Sequence, residues 1–148
     1  MAEPILSESN DLVIYTKGDP QPIELPDDVV LGEAVDYLDA LEYSSVANQV
    51  RKCTDDTESR PIGACRSSGG QASGALPSIA RGFAHKVTIG ALSAAVSPGD
   101  RVRMISGTTC LKVAPVSYAW QANTYGEALE SGVAGESIWV YVDPLITV

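Results

Sequence analysis

Hydrophobic and polar positions alternate with a period of two along Arg101–Ser106. Val102, Met104 and Ser106 fall on one face and Arg101, Arg103 and Ile105 on the other, the pattern of a strand. Pro98-Gly99-Asp100 in front of it is a turn, and Gly107-Thr108-Thr109 behind it reverses the chain into Leu111-Lys112-Val113. Further strands are predicted at Tyr125–Glu130 and Ser137–Val142, joined by Ser131–Glu136, and the second is β-branched or aromatic almost throughout. Upstream, Gly82–Ile89 alternates so that Phe83, His85, Val87 and Ile89 share a face, and Gly90–Val96 is a small apolar connection back to Pro98. The predicted fold class is mainly β: one or two small antiparallel β-barrel or sandwich units with an extended N-terminal arm.

The N-terminal part reads differently. In Met1–Pro26 four prolines (Pro4, Pro20, Pro22, Pro26) remove backbone donors and fix extended geometry, and Ser7–Asp11 offers nothing to bury. One β-prone patch, Leu12, Val13, Ile14 and Tyr15, interrupts this arm. Three fates stay open for it: disorder, the first strand of the domain's own sheet, or a strand added to a partner, which makes these four residues the candidate partner-binding site. A β domain is expected over 27–142, divisible at about 75/76 into two related units, with 143–148 as a tail. The hint of relatedness is a weak duplication. Leu31–Val35 resembles Pro98–Val102 at an offset of 67, and Ile62–Gly69 lines up with Tyr125–Gly132 at an offset of 63. The first match predicts a strand at Ala34–Leu38, with a short helix around Leu38–Ser44 as the alternative. Thr54–Arg60 reads as a polar loop and Ser67–Gly74 as a flexible linker, without the lysine and hydroxyl of a phosphate loop.

Totals narrow the function. A chain of 148 residues can bury a proper core. It contains no apolar run long enough for a membrane span, and its N-terminus lacks the basic start and apolar core of a signal peptide, so a soluble, cytosolically made protein is expected. The net charge of −9 is unevenly spread: −10 over Met1–Val50, +5 over Arg51–Pro115 and −4 over Val116–Val148. The acidic total disfavours nucleic acid, and a basic middle between acidic ends suits contacts within the molecule or between copies. Three cysteines without CxxC and a single histidine indicate neither a disulfide framework nor a metal site.

Reaction chemistry finds few handles. His85 could pair with Cys53, Cys65 or Cys110, but none sits in a nucleophile signature, and an alternating strand is the ordinary place for a satisfied core histidine. No GxSxG is present, and Asp27-Asp28 and Asp55-Asp56 are loop acids. No catalytic, cofactor or metal residues are assigned. Lipoyl or biotinyl carrier barrels also open strands with Gly-Asp-x-Val, but they need a lysine at a hairpin tip, where this chain has Gly107-Thr108-Thr109.

Three strings together point elsewhere: Gly99-Asp100-Arg101-Val102; Tyr125-Gly126-Glu127-Ala128-Leu129-Glu130-Ser131-Gly132-Val133-Ala134-Gly135-Glu136; and the closing Ser137–Val142. In this order, after a strand such as Gly82–Ile89, they resemble the head decoration, or capsid cement, proteins of tailed bacteriophages. The likeness covers roughly residues 60 to 142; the acidic arm and the Asp27–Cys65 block are longer than a minimal member needs. It implies a non-enzymatic virion protein on the outer capsid surface, assembled in the host cytoplasm, without cofactor, nucleic acid or membrane. Its implied partners are the major capsid protein and itself, as a homotrimer. The alternative from the residues alone is a β-barrel binding or carrier module of a cellular complex.

Overall fold

The computed structural model describes residues 16–56, 60–113 and 123–144, and every regular element among them is a strand. The strands are β1 (Thr16–Lys17), β2 (Gln21–Ile23), β3 (Val30–Leu31), β4 (Ala40–Tyr43), β5 (Gln49–Lys52), β6 (Pro61–Cys65), β7 (Ile79–Arg81), β8 (Ala84–Ile89), β9 (Arg101–Met104), β10 (Thr109–Lys112), β11 (Gly126–Ala128) and β12 (Ser137–Val142). They form two six-stranded sheets, ordered β2-β7-β6-β4-β5-β3 and β1-β8-β10-β9-β11-β12. In the second, β8 also pairs with β12 from Ala84↔Tyr141 to Ser137↔Thr88 and so closes five strands into a barrel.

The two sheets are copies of one unit. The order β3-β5-β4-β6-β7 repeats as β8-β10-β9-β11-β12, including the parallel pair, β3 with β5 and β8 with β10. The loops differ in length but share the bonds that anchor them. Val35 exchanges two backbone hydrogen bonds with Gln71, as Val96 does with Gly132. Asp39 accepts from the Asp36 N–H at 2.8 Å, as Asp100 does from the Ser97 N–H at 2.8 Å. Leu38 donates to the Cys65 carbonyl as Gly99 does to that of Ala128. Gly63 and Gly126 are equivalent, because an added Cβ would meet the carbonyl oxygen of Ala80 or of its counterpart Tyr141.

This geometry keeps the offset of 63 over Ile62–Cys65, loses it by Gln71, which rather than Gly69 is the counterpart of Gly132, and overturns the offset of 67. Val35 corresponds to Val96 rather than Val102, and Asp36–Asp39 is a turn instead of the expected strand; the strand follows at Ala40. The helix considered for Leu38–Ser44 is absent too, since Leu38 has φ 70° and β4 occupies Ala40–Tyr43. Ser67–Gly74 is no free linker: besides the Val35 bridge, Gly70 donates to Ser67, and Gly74 to Leu31. The strands at Arg101, Gly82 and Ser137 are found, the first two trimmed to Arg101–Met104 and Ala84–Ile89. Phe83, His85, Val87 and Ile89 are all buried, as their alternation predicts.

Two apolar clusters hold the units together. The first sheet, β2-β7-β6-β4-β5-β3, curls without closing, and this curled sheet encloses Leu31, Val35, Leu41, Val50, Ile62, Cys65 and Ile79. The barrel is filled by Phe83, Val87, Val102, Met104, Tyr125, Ile138 and Val140, and the same cluster takes in Ala40, Ala64 and Ala80 from the curled sheet. These three alanines stand side by side, Ala40↔Ala64 and Ala64↔Ala80. Between Leu41 and Glu42 the register shifts, a bulge that turns Ile62 to the inner face beside Cys65. Small side chains let the outer wall of one unit lie flat on the barrel, and the Ala40 N–H donates to Gly107 of the β9–β10 turn at 2.8 Å.

Candidate functional site

His85 is fully enclosed and both ring nitrogens are engaged. Nδ1 lies 3.1 Å from the Lys86 carbonyl, which can only accept, so Nδ1 carries the proton and Nε2 accepts from the Tyr125 hydroxyl at 2.7 Å. Burial pulls the imidazole down to about 4 and pushes the Tyr125 phenol well up. The three thiols are buried and free. Burial raises all of them, Cys53 further through Glu42 beside it, and Cys110 to about 12. The histidine is therefore neutral and occupied and the thiols are protonated, the opposite of an activated nucleophile. Glu42, also enclosed, meets Arg51 Nε at 2.8 Å and the N–H and hydroxyl of Thr54 at 3.2 and 3.0 Å. Among the described residues no group of three or more His, Cys, Asp or Glu is placed to hold a metal ion.

The arm enters the fold at β1. Thr16 and Lys17 pair with His85 and Ala84 on the edge of β8 that β10 takes over at Thr88. The Lys17 ammonium sits 4.4 Å from the centre of the Trp139 ring, which Lys86 also approaches at 5.4 Å. Lys86 in turn lies 3.5 Å from Glu130, whose carboxylate accepts the Trp139 backbone N–H at 2.8 Å. The predicted partner-binding residues Leu12, Val13, Ile14 and Tyr15 precede this latch and lie outside the described residues.

Three surface features remain. A polar cleft of about 400 Å³ lies between the units, walled by Glu33, Asp36, Asp39 and Lys52 on one side and Ser106–Thr108 on the other. A smaller cleft of about 250 Å³ opens where β2 parts from β7, walled by Ile23, Leu25, Val29, Leu76 and Pro77 together with Glu24 and Asp27. In the loops that follow β8 and β11, Leu92 and Val133 stand 94% and 54% exposed. Sequence reasoning passed over this last feature, taking Gly90–Val96 as a mere connection. A signal was present in the run Val87–Gly99, thirteen residues without a charge.

No protein-family model matches the chain, and no curated protein does. Among solved structures it is similar to the N base of the head fiber gp8.5 in bacteriophage phi29, with a TM-score of 0.47 and 15% identity over 78% of this chain and 90% of that one. At that identity no residue's role passes from one chain to the other.

Proposed function

We propose that this protein is a structural virion component, a capsid cement that sits on the outer surface of a phage head and ties neighbouring major capsid subunits together as an oligomer, expected to be a homotrimer. The observation that supports it is that the strings carrying the cement resemblance form one continuous piece of the fold. Gly99–Val102 is the turn into β9, Tyr125–Glu136 is β11 with its loop, and Ser137–Val142 is β12, all belonging to the closed barrel. Their glycines have backbone jobs there: Gly99 and Gly135 have φ 92° and 90°, and Gly126 leaves no room for a Cβ against the Tyr141 carbonyl. The carrier-module reading fits less well. Its modified lysine would have to sit on a free hairpin tip, whereas the β9–β10 turn is buried at Gly107 against Ala40 and Asp39.

The experiment is cosedimentation with capsids assembled from the major capsid protein alone. The proposal expects saturable binding at a fixed copy number per capsid and a higher temperature of capsid disruption. Absence of binding at micromolar protein, on capsids that retain their native shape, would sink it. Removing Met1–Tyr15 tests the arm separately: weaker binding with an unchanged melting temperature assigns Leu12–Tyr15 to the partner, and unchanged binding makes them idle.

A further inference from the structure

The strand that carries the chain from the curled sheet into the barrel has a strap along one side. Ile79–His85 runs from β7 into β8, and Thr16–Ile23 lies antiparallel beside it. In the strap, β1 sets Thr16 and Lys17 against His85 and Ala84, and β2 sets Gln21, Pro22 and Ile23 against Arg81, Ala80 and Ile79. One short segment is thereby paired to both units. The crossing itself is a bulge at Gly82 and Phe83, which both bond to Val142: Gly82 donates to its carbonyl and Phe83 accepts from its N–H. Gly82, at φ 79°, lets the strand turn out of one sheet and into the other.

The backbone bonds of the crossing strand divide between its two sides. Arg66 donates to Ser78, so Ser78 and Ala80 face β6, while Ile79 and Arg81 face the strap. In β8, Thr88 donates to Thr108 and Ile89 to Glu136, so His85 faces β12 and Ala84 faces the strap. Pro22, which has no N–H, stands opposite Ala80, where none is needed. No residue of the strap is buried, whereas Ile79, Ala80, Phe83 and Ala84 beside it all are. What holds the strap is its backbone bonds, the half-buried Ile23 against the cluster of the curled sheet, and the Lys17 ammonium, 4.4 Å from the centre of the Trp139 ring.

We propose that Thr16–Ile23 is a releasable strap: it leaves the crossing strand while both units stay folded, and its release loosens the contact between them. An exposed edge strand with few apolar contacts opens at a smaller free energy than the cores it adjoins. The barrel keeps its closure through β8 and β12, and the curled sheet keeps its cluster around Leu41 and Ile62, so neither core is built on the strap. With the strap gone, the units are held by the alanine row, by the Ala40–Gly107 bond and by the ion pair of Arg103 with Asp55 at 2.8 Å. In place, the strap splints the bend at Gly82. The inference depends neither on capsid binding nor on self-association.

Residue-resolved hydrogen exchange on the full-length protein tests this, because neighbouring amides report different openings. Ile79, Arg81 and Ala84 report release of the strap; Ala40, bonded to Gly107 across the interface, reports the contact between units; Val35 and Val96, each bonded within its own unit, serve as controls. Lys17→Pro removes the N–H that Lys17 presents to Ala84, together with the ammonium on Trp139. Exchange at Ile79, Arg81, Ala84 and Ala40 should then rise about three- to tenfold, the factor for one backbone hydrogen bond, with Val35 and Val96 unchanged. An equal rise at Val35 and Val96 would make the strap part of the cooperative core. An unmoved Ala40 would deny the splint, and unmoved Ile79 and Arg81 would deny release as one piece; each of the three overturns the proposal. Should Lys17→Pro not fold, Gln21→Cys with Arg81→Cys, which face each other, locks the strap by a disulfide, the native thiols being buried. Oxidation must then slow exchange at Ala84 and Ala40 relative to the reduced protein, and equal rates in the two forms overturn the strap as well.

Discussion

One row of residues has opposite chemistry in the two units. On the curled sheet the row across β4, β6 and β7 is Ala40, Ala64 and Ala80, buried against the barrel. On the barrel the same row, across β9, β11 and β12, is Arg101, Glu127 and Tyr141, with Arg101 3.6 Å from Glu127 and Tyr141 39% exposed. Inside, the barrel's His85 and Tyr125 stand where the curled sheet has Ile23 and Ile62. What the copies keep is what the backbone demands: the aspartate that caps the turn, the glycine under a crossing carbonyl, the bridge that ties the loops. What they change follows what covers each face.

Exchanging the row is the largest test. Ala40→Arg places the barrel's residue between the units, where a guanidinium has neither water nor a matching acid. The expected cost is on the order of 4 kcal/mol or more, read as a large fall in the urea midpoint. Arg101→Ala puts the small residue on the open wall and should cost less than about 0.5 kcal/mol. Equal effects would mean that the two walls are equally covered in solution, and the packing described for the alanine row would be wrong.

The same row explains what could be read in advance. Alternation gave the strands around Val87 and Val102, because each lines a closed barrel with one wet side, and β-branched and aromatic composition gave the one around Val140. The match of Ile62–Gly69 with Tyr125–Gly132 was legible in its first part because Gly63 and Gly126 answer to the same crowded carbonyl, and it failed at its end, where the loops differ in length and Gly132 answers to Gln71. Pairing Gly32 with Gly99 misled, since Gly32 corresponds to Gly90, and the partner of Gly99 is Leu38, a non-glycine at positive φ that sequence grammar does not anticipate. The alanine row was illegible: alanines are poor strand formers, and what makes them necessary is a contact between units. The candidate partner-binding residues Leu12–Tyr15 were chosen by isolation from any core and lie outside the described residues, while the exposure of Leu92 depends on a loop length that no pattern in the chain announces.

The buried polar pair supplies the next test. His85 titrates at about 4 in the fold against 6.5 when free, so the unfolded chain takes up the proton first. Its contribution is complete above about pH 6.5, declines as the pH falls toward 4 and is flat below, a loss of about 3 kcal/mol in all. Asp39 works the other way: burial raises its carboxyl, so it favours the fold as the pH falls. The double change His85→Ile with Tyr125→Phe gives the barrel an apolar pair like that of the curled sheet and should remove the slope between pH 6.5 and 4. Tyr125→Phe alone leaves Nε2 unsatisfied and should cost about 1–3 kcal/mol at neutral pH. A slope unchanged in the double variant would assign the acid sensitivity to carboxylates.

The smallest effect concerns the turn both units share. Gly99 has φ 92° and an added Cβ would find nothing within 4 Å, so Gly99→Ala carries a backbone cost alone, about 1 kcal/mol. Gly99→Asn should cost less, because asparagine tolerates the left-handed region. Leu38 occupies the same place at φ 70° and bears a similar strain, offset by its packing against the barrel's cluster. Leu38→Gly therefore relieves the strain and loses the contact, and the net change should be destabilising, since burying a leucine is worth more than about 1 kcal/mol. Thermal melts of the three variants decide it. If Leu38→Gly stabilises the protein while Gly99→Ala costs the expected amount, the Leu38 side chain contributes nothing across the interface, and the curled sheet keeps a leucine there for a reason other than holding the barrel.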